Sequence, residues 1–355
     1  MDKYRIDSHK LLFHVSRVSD WLKGENVYPI YAEISPSGAC NHRCTYCALD
    51  FMEYQARFLD KGILNERLTE MALLGLKSVM YAGEGEPLLH TDIAEIINHT
   101  KKVGIDVAIT TNGVLLKKDL VEKTLGSIAW IKASINGGTK ETYAGIHKTS
   151  PDNFDRVIEN MSYAAQIRRD KGYRCALGMQ MILLPENRHE VELLAQQAKD
   201  IGMDYLVIKP YSQHTLSKTT RYKDIKYNDY LHLAGKLERF NTQDFTVIFR
   251  LNTMKKWDEG RRNYRQCLAL PFWSYIDAGG DVWGCSVYLN NENFKYGNIY
   301  ETTFQKIWEG EKRLKSLCWT EEELDINQCR VNCRMDEINR YLWQLKHPPE
   351  HVNFI

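Results

Sequence analysis

Nothing in the chain approaches the about 20 consecutive apolar residues of a membrane-spanning helix. The first thirty residues carry charges and turn formers where a secretory signal would need an apolar core. Net charge is equally scarce, since 47 Lys and Arg against 46 Asp and Glu leave only +1. That balance gives no electrostatic footprint for an anionic membrane or for non-specific nucleic-acid binding, and it disfavours nucleic acid as a substrate. Internal repeats, low-complexity tracts and segments of disordered composition are missing too. The expectation is a folded, soluble, cytoplasmic protein. With 43% hydrophobic and 26% charged residues over 355 positions, the chain can bury the core of a large α/β domain and a smaller second one. Nine cysteines stand out against this background. Cytosolic thiols stay reduced, and clustered ones bind metal or carry chemistry.

Residues 8 to 23 set Leu11, Leu12, Val15, Val18 and Leu22 at helical spacing, which predicts an amphipathic helix within an N-terminal segment, 1–30. Six short apolar runs then alternate with amphipathic stretches: Ile30 to Ile34, Val79 to Tyr81, Val107 to Thr110, Ile128 to Ser134, Met179 to Leu184 and Tyr205 to Ile208. Asn65, Gly75, Gly104, Gly202 and the pair Asn187 and Glu190 punctuate the intervening helices. The pattern belongs to the α/β class, with parallel strands joined by crossover helices. Six units fall short of a closed eight-unit barrel, so a partial (βα)6 TIM-type barrel is expected over 31–225, with its site at the C-terminal ends of the strands. A bridging helix near Tyr227 to Phe240 and a strand near Phe245 to Leu251 fill 226–260. A small domain, 261–355, opens with a β-hairpin in which Phe272 to Asp277 and Val282 to Tyr288 flank Ala278-Gly279-Gly280.

Cys40, Cys44 and Cys47 form C-x3-C-x2-C just after the first predicted strand. A structural zinc site takes four protein ligands, and His42 would have to turn inward to complete one. An iron-sulfur cube on three cysteines instead leaves one iron open to an external ligand. With Tyr46 before the last cysteine, the motif resembles the hallmark of the radical S-adenosylmethionine (SAM) superfamily. The resemblance implies a catalytic 4Fe-4S cluster whose open iron is chelated by SAM, cleavage to methionine and a 5′-deoxyadenosyl radical, and an external one-electron donor such as flavodoxin or ferredoxin. It also implies cofactor contacts. These are Tyr46, the glycine-rich turn with Gly83, Gly85, Glu86 and Pro87 after strand two, Thr110 and Asn112 after strand three, and Ser134 and Asn136 after strand four. A plain Asn-Gly turn and helix capping are the structural alternatives for the last two segments.

Downstream, Cys267, Gly280 and Cys285 read C-x12-G-x4-C, and Cys329 and Cys333 read C-x3-C. Together they offer four thiolates for a closed cluster or for zinc. With Gly297-Asn298-Ile299, Phe304, Ile307 and Trp308, the pattern resembles the SPASM/twitch extension of radical SAM enzymes. Full SPASM domains have seven cysteines and this region has five, which implies one auxiliary 4Fe-4S cluster on Cys267, Cys285, Cys329 and Cys333. Cys318 is expected as a packed thiol at a helix end, and Cys175 as structural.

The segment Lys209-Pro210-Tyr211-Ser212-Gln213-His214, followed by Lys218, Arg221, Lys223 and Lys226, could meet a substrate, bind an anionic group or serve as a solvated linker. Candidate catalytic residues are Lys209, Tyr211, His214 and Cys318. The resemblance implies hydrogen abstraction from a small, carbohydrate-like or cyclitol substrate, with dehydrogenation favoured. Epimerisation, peptide or protein maturation, and a non-catalytic iron-sulfur carrier are the alternatives. About 30 residues before strand one leave no room for a separate peptide-recognition domain.

Overall fold

The computed structural model describes residues 3–354. One ten-stranded sheet organises it: β1 (Tyr31–Ile34), β2 (Ser78–Tyr81), β3 (Asp106–Thr111), β4 (Ile128–Ser134), β5 (Ala176–Ile182), β6 (Tyr205–Lys209), β7 (Thr246–Phe249), β8 (Trp273–Ile276), β9 (Asp281–Trp283) and β10 (Lys295–Asn298). The spatial order is β10-β9-β8-β1-β2-β3-β4-β5-β6-β7. Strands β8 and β1 through β7 run parallel, and β9 alone is reversed, pairing antiparallel with both β8 and β10. The expected partial barrel is therefore continued at both edges. Residues 226–260 supply β7, paired with β6 from Tyr205↔Thr246 to Ile208↔Phe249. The hairpin begins with β8, which lies beside β1 from Tyr31↔Trp273 to Ile34↔Ile276.

Two faces follow from the period-two alternation of side chains. On one, Val79, Val107, Ile109, Ile131, Ala133, Leu177, Met179, Leu206 and Ile208 are at most 1% exposed and pack with helix residues such as Leu64, Leu68, Ile96, Val157, Met161 and Leu194. Fully burying one such aliphatic side chain stabilises by about 1.5–3 kcal/mol, which is what holds the helices on the sheet. The opposite face, the barrel lumen, is mixed. It presents Glu33, Met80, Thr110, Lys132, Gln180 and Lys209, while Tyr205, Val207 and Ile248 pack with Tyr4 and Ile6 of the N-terminal segment. The rings of Tyr4 and Tyr205 are 5.0 Å apart. The amphipathic helix is Val15–Leu22.

The expected helix near Tyr227 to Phe240 is broken into a turn at Asn228–Tyr230, a helix Leu233–Leu237 and a turn at Glu238–Phe240. Gly235 inside it lowers helix propensity, and Leu233, Leu237 and Phe240 are fixed by burial against the barrel. Among the described residues no helix is long and apolar enough to cross a membrane.

Candidate active site between two cysteine groups

Strand β1 delivers the chain into the loop that carries Cys40, Cys44 and Cys47. The loop is held from both sides: Arg43 N and Thr45 N donate to the carbonyls of His147 (3.1 Å) and Ile146 (2.8 Å), and the Arg43 guanidinium donates to the carbonyls of Cys40 and His42, each at 2.7 Å. Burial pushes the Cys40 thiol up to about 12, helped by Glu86 and Cys47. Cys44 rises through burial and then through Cys47 and Cys40, and Cys47 rises through burial. The three thiols are half-buried on one loop, and Cys40 and Cys47 both oppose ionisation of Cys44, a donor set that a bound cationic centre would resolve.

His42 does turn inward. It is 1% exposed, both ring nitrogens are without hydrogen-bond partners among the described residues, and its ring lies 5.2 Å from that of His147. The ligand atoms of His42, Cys44 and His147 lie within 4.8 Å of one another. No local sequence pattern points to His147. It closes the helix Lys140–His147, with Nδ1 at 3.3 Å from Cys44 Sγ and Nε2 at 3.0 Å from the Ile135 carbonyl. Burial lowers His42 to about 4 and His147 to about 3, so both imidazoles are neutral near pH 7.

The residues singled out around this loop divide by what their side chains do. Gly83 has φ +117°, and Gly85 lies against the backbone of Ser37 to Ala39. Glu86 is a brace: its carboxylate accepts from Thr111 Oγ1 (2.5 Å), Asn112 N (2.8 Å) and Leu88 N (3.1 Å), and it is 3% exposed. Pro87 opens the short turn Pro87–Leu89. Asn112 donates to Asn41 Oδ1 at 2.6 Å. Asn136, at φ +50°, donates to Tyr46 Oη and accepts from Ile182 N, both at 2.6 Å. Thr110 and Ser134 are half-buried on the lumen face. Glu86 and Asn136 therefore spend their side chains tying strand ends together. A sequence motif gives their spacing and not their direction.

The second group is brought together by β8, β9 and the C-terminal loop. Cys267, Cys285, Cys329 and Cys333 line one cavity with Val287, Tyr288 and Phe294. Burial pushes Cys267 up to about 12, aided by Cys333 and Cys329, and Cys285 is raised by burial and then by Cys333, Cys267 and Cys329. Tyr288 Oη is 3.0 Å from Cys329 Sγ. Cys318 is absent from the cavity, and the expectation of a packed thiol is corrected: it is exposed on the helix Glu311–Glu322. That helix buries Arg313, Ser316 and Thr320, which leaves Cys318 on its outer side. Cys175 is 2% exposed before β5, as expected of a structural thiol.

Between the groups runs the segment after β6. Asp50, three residues past Cys47, accepts from Ser217 Oγ (3.0 Å), Lys218 N (2.8 Å) and Thr219 N (2.9 Å). On the other side Arg330 Nε donates to Ser212 Oγ (3.0 Å), and Asn332 Nδ2 donates to the Tyr211 carbonyl (3.2 Å). The segment is thus a strap between the loops that carry both cysteine groups. Asp50→Ala should release its end, at a cost of about 2–3 kcal/mol for the lost charged hydrogen bonds. Hydrogen exchange would then be faster at the amides of Lys218 and Thr219, and unchanged protection would mean that other contacts hold the strap.

Two catalytic candidates are placed within the packing. His214 is fully buried, stacks on Phe51 at 4.8 Å, accepts from Leu216 N and has Nε2 3.3 Å from the Ser286 carbonyl. Tyr211, 1% exposed, donates to Gln213 Oε1 at 2.9 Å. Of the four candidates, Lys209 is the one on the lumen face.

Comparison with known proteins agrees with this geometry. The radical SAM superfamily profile matches residues 34–198, and that of the SPASM iron-sulfur cluster-binding domain matches 267–334. A GTP 3′,8-cyclase of Chlorobaculum tepidum is 28% identical over 196 residues, 54% of this chain and 57% of that protein. A probable GTP 3′,8-cyclase of Saccharolobus solfataricus is 30% identical over 173 residues, 48% and 53% respectively. The chain thus spans about half the length of the curated relatives it matches. Among solved structures, Streptococcus suis SuiB bound to precursor peptide SuiA has a TM-score of 0.64 at 20% identity, covering 84% of this chain and 69% of that one. Native anSMEcpe with bound AdoMet has a TM-score of 0.60 at 16% identity, covering 90% and 95%. At such identities the likeness concerns the fold. The chain carries a radical SAM domain and a C-terminal SPASM domain, and the two domains imply SAM, a catalytic 4Fe-4S cluster and an auxiliary 4Fe-4S cluster.

Proposed function

We propose that this radical SAM enzyme dehydrogenates a small, hydroxyl-bearing substrate of carbohydrate or cyclitol type. In this reading Cys40, Cys44 and Cys47 hold the catalytic cluster, and Cys267, Cys285, Cys329 and Cys333 hold the auxiliary one. Tyr46, the turn of Gly83 and Gly85, Thr110 and Ser134 border the SAM side, and Glu86, Asn112 and Asn136 keep that wall rigid. With both clusters and SAM in place, the site would have a one-electron route to a 5′-deoxyadenosyl radical, removal of a hydrogen atom from a C–H bond, and an acceptor for the second electron, with the hydroxyl proton released to water.

The observation that carries the choice is the placement of thiols. An epimerase must return a hydrogen atom to the opposite face of the carbon, usually from a thiol. Here the two cysteines outside the proposed ligand sets are badly placed for that: Cys318 is exposed on an outer helix, and Cys175 is buried on the helix-covered side of the sheet. A four-thiolate set joined to the strap through Arg330 favours outward electron transfer instead. Peptide modification is the second reading, favoured by the shared fold with peptide-bound SuiB.

The test is turnover in deuterated water by the anaerobically reconstituted enzyme, using 5′-deoxyadenosine formation to find which fraction of a cell extract, small-molecule or peptide, contains the substrate. The expected product comes from the small-molecule fraction, is two electrons more oxidised than its substrate and carries no solvent deuterium at the attacked carbon. Solvent deuterium in a product of unchanged oxidation level would overturn the dehydrogenase reading, and stimulation by the peptide fraction alone would favour the second.

A further inference from the structure

Two basic residues of the strap are committed elsewhere, and Lys223 and Lys226 are exposed to solvent. Lys218 pairs with Glu53 at 2.6 Å and Arg221 with Glu186 at 2.5 Å. The cationic groups inside the barrel divide differently. Arg334 pairs with Glu33, the carboxylate on the lumen face of β1. Arg250 pairs with Asp7 at 3.2 Å, and Arg330 is held by Ser212 beside the thiols of Cys333 and Cys285. Three polar groups on neighbouring strands remain.

Sheet register places them on one face. Lys132 on β4 pairs with Gly178, two residues before Gln180 on β5, and Lys209 on β6 pairs with Ile182, two residues after it. Alternation therefore points Lys132, Gln180 and Lys209 the same way, opposite to the helix-packed Ile131, Met179 and Ile208. Gln180 is 6% exposed, and its amide has no hydrogen-bond partner among the described residues. Lys209 has no ion pair or side-chain hydrogen bond among them, and the charges acting on it, those of Lys132, Arg250 and Arg330, are all positive. Lys132 has only the face of Trp130, 5.3 Å from its ammonium. Strands β4 and β6 are two spacings apart, about 10 Å, and the two lysines are also offset by four residues, about 13 Å, along the strands, so the three side chains form a diagonal with Gln180 at its midpoint and each lysine a diagonal neighbour of it, within reach of a long side chain.

We propose that Lys132, Gln180 and Lys209 form an anion site in the barrel lumen that takes a carboxylate or phosphate monoester carried by the substrate. Lys132 and Lys209 are half-buried, no carboxylate is among the charges acting on either, and the amide of Gln180 lies between them, so the patch presents a one-sign charge and hydrogen-bond donors that an oxyanion would satisfy. Burial and positive neighbours hold Lys209 well below the ordinary lysine range and Lys132 at about 8, and an oxyanion between them would restore both charges. The proposal rests on the reading of the lumen as the substrate side, and it narrows the substrate to an acid.

The test follows thermal unfolding of the reconstituted holoenzyme with SAM in sodium chloride, acetate and phosphate at equal ionic strength. At about 10 mM, acetate or phosphate should raise the midpoint by roughly 2 °C or more over chloride. Phosphate acting alone would identify a phosphate monoester, and acetate acting alone or with phosphate a carboxylate. Lys209→Met and Lys132→Met should abolish the shift and melt above the parent protein in chloride, because mutual repulsion is removed, whereas Lys209→Arg should keep the shift. No response beyond chloride, a shift that survives both Met variants, or Met variants that melt lower in chloride would each overturn the site. Since no turnover is read, that failure would leave the deuterium result on dehydrogenation standing.

Discussion

Replacing Cys40, Cys44 and Cys47 together by Ala should abolish 5′-deoxyadenosine formation from SAM and lower the iron content of the reconstituted protein from about eight to about four per chain. The reason is spatial separation. The first three cysteines follow β1 in a loop held by Arg43 and by the carbonyls of Ile146 and His147, and the other four line a different cavity between β8, β9 and the C-terminal loop. Neither set supplies a thiolate to the other. The triple variant should therefore keep the electron paramagnetic resonance signal of the auxiliary cluster after reduction. Parent protein that binds only about four irons, with zinc in the C-terminal cavity, would contradict the two-cluster reading.

The same separation explains what could be read beforehand. Six barrel strands were legible because each is a short apolar run between amphipathic stretches, and the cysteine groups because their spacing is local. The pairing of β8 with β1 was not, since some 240 residues separate Tyr31 from Trp273 and no local pattern names a strand's neighbour. His147 reaches Cys44 across 103 positions, and Asp50 gathers Ser217 to Thr219 across 167 to 169. Local spacing also leaves side-chain direction open. Glu86 is close to Cys40 in space, yet its carboxylate is taken up by Thr111, Asn112 and Leu88. His214 follows the last residue of β6 by five positions, yet folds under Phe51 and away from the lumen face. Conversely, Lys132 and Gln180 carried no motif and emerged only from register.

The glycine-rich turn gives the second large expected effect. A Cβ at Gly85 would lie 2.3 Å from the carbonyl oxygens of both Ser37 and Ala39 and 2.7 Å from Gly38 C, all of them backbone atoms. These atoms cannot easily give way, because Gly38 N donates to Arg57 O and Glu86 N donates to Ala39 O, both at 2.8 Å. Ala39 directly precedes Cys40, so any shift that makes room for a methyl group moves a proposed cluster ligand. Gly85→Ala should therefore cost about 3 kcal/mol through overpacking, and an equal loss of transition-state stabilisation would cut SAM cleavage about 100-fold. The catalytic cluster should be under-loaded in the same variant, with auxiliary iron retained. Gly145→Ala is the control: that glycine lies inside the helix Lys140–His147, has no atom within 4 Å of an added Cβ and has no positive φ. It should raise stability by up to about 1 kcal/mol, through helix propensity, without loss of iron. Iron quantification and denaturant unfolding on both variants make the comparison. If Gly85→Ala keeps full iron and normal cleavage, the Ser37 to Ala39 backbone is free to move, and the turn does not set the position of Cys40.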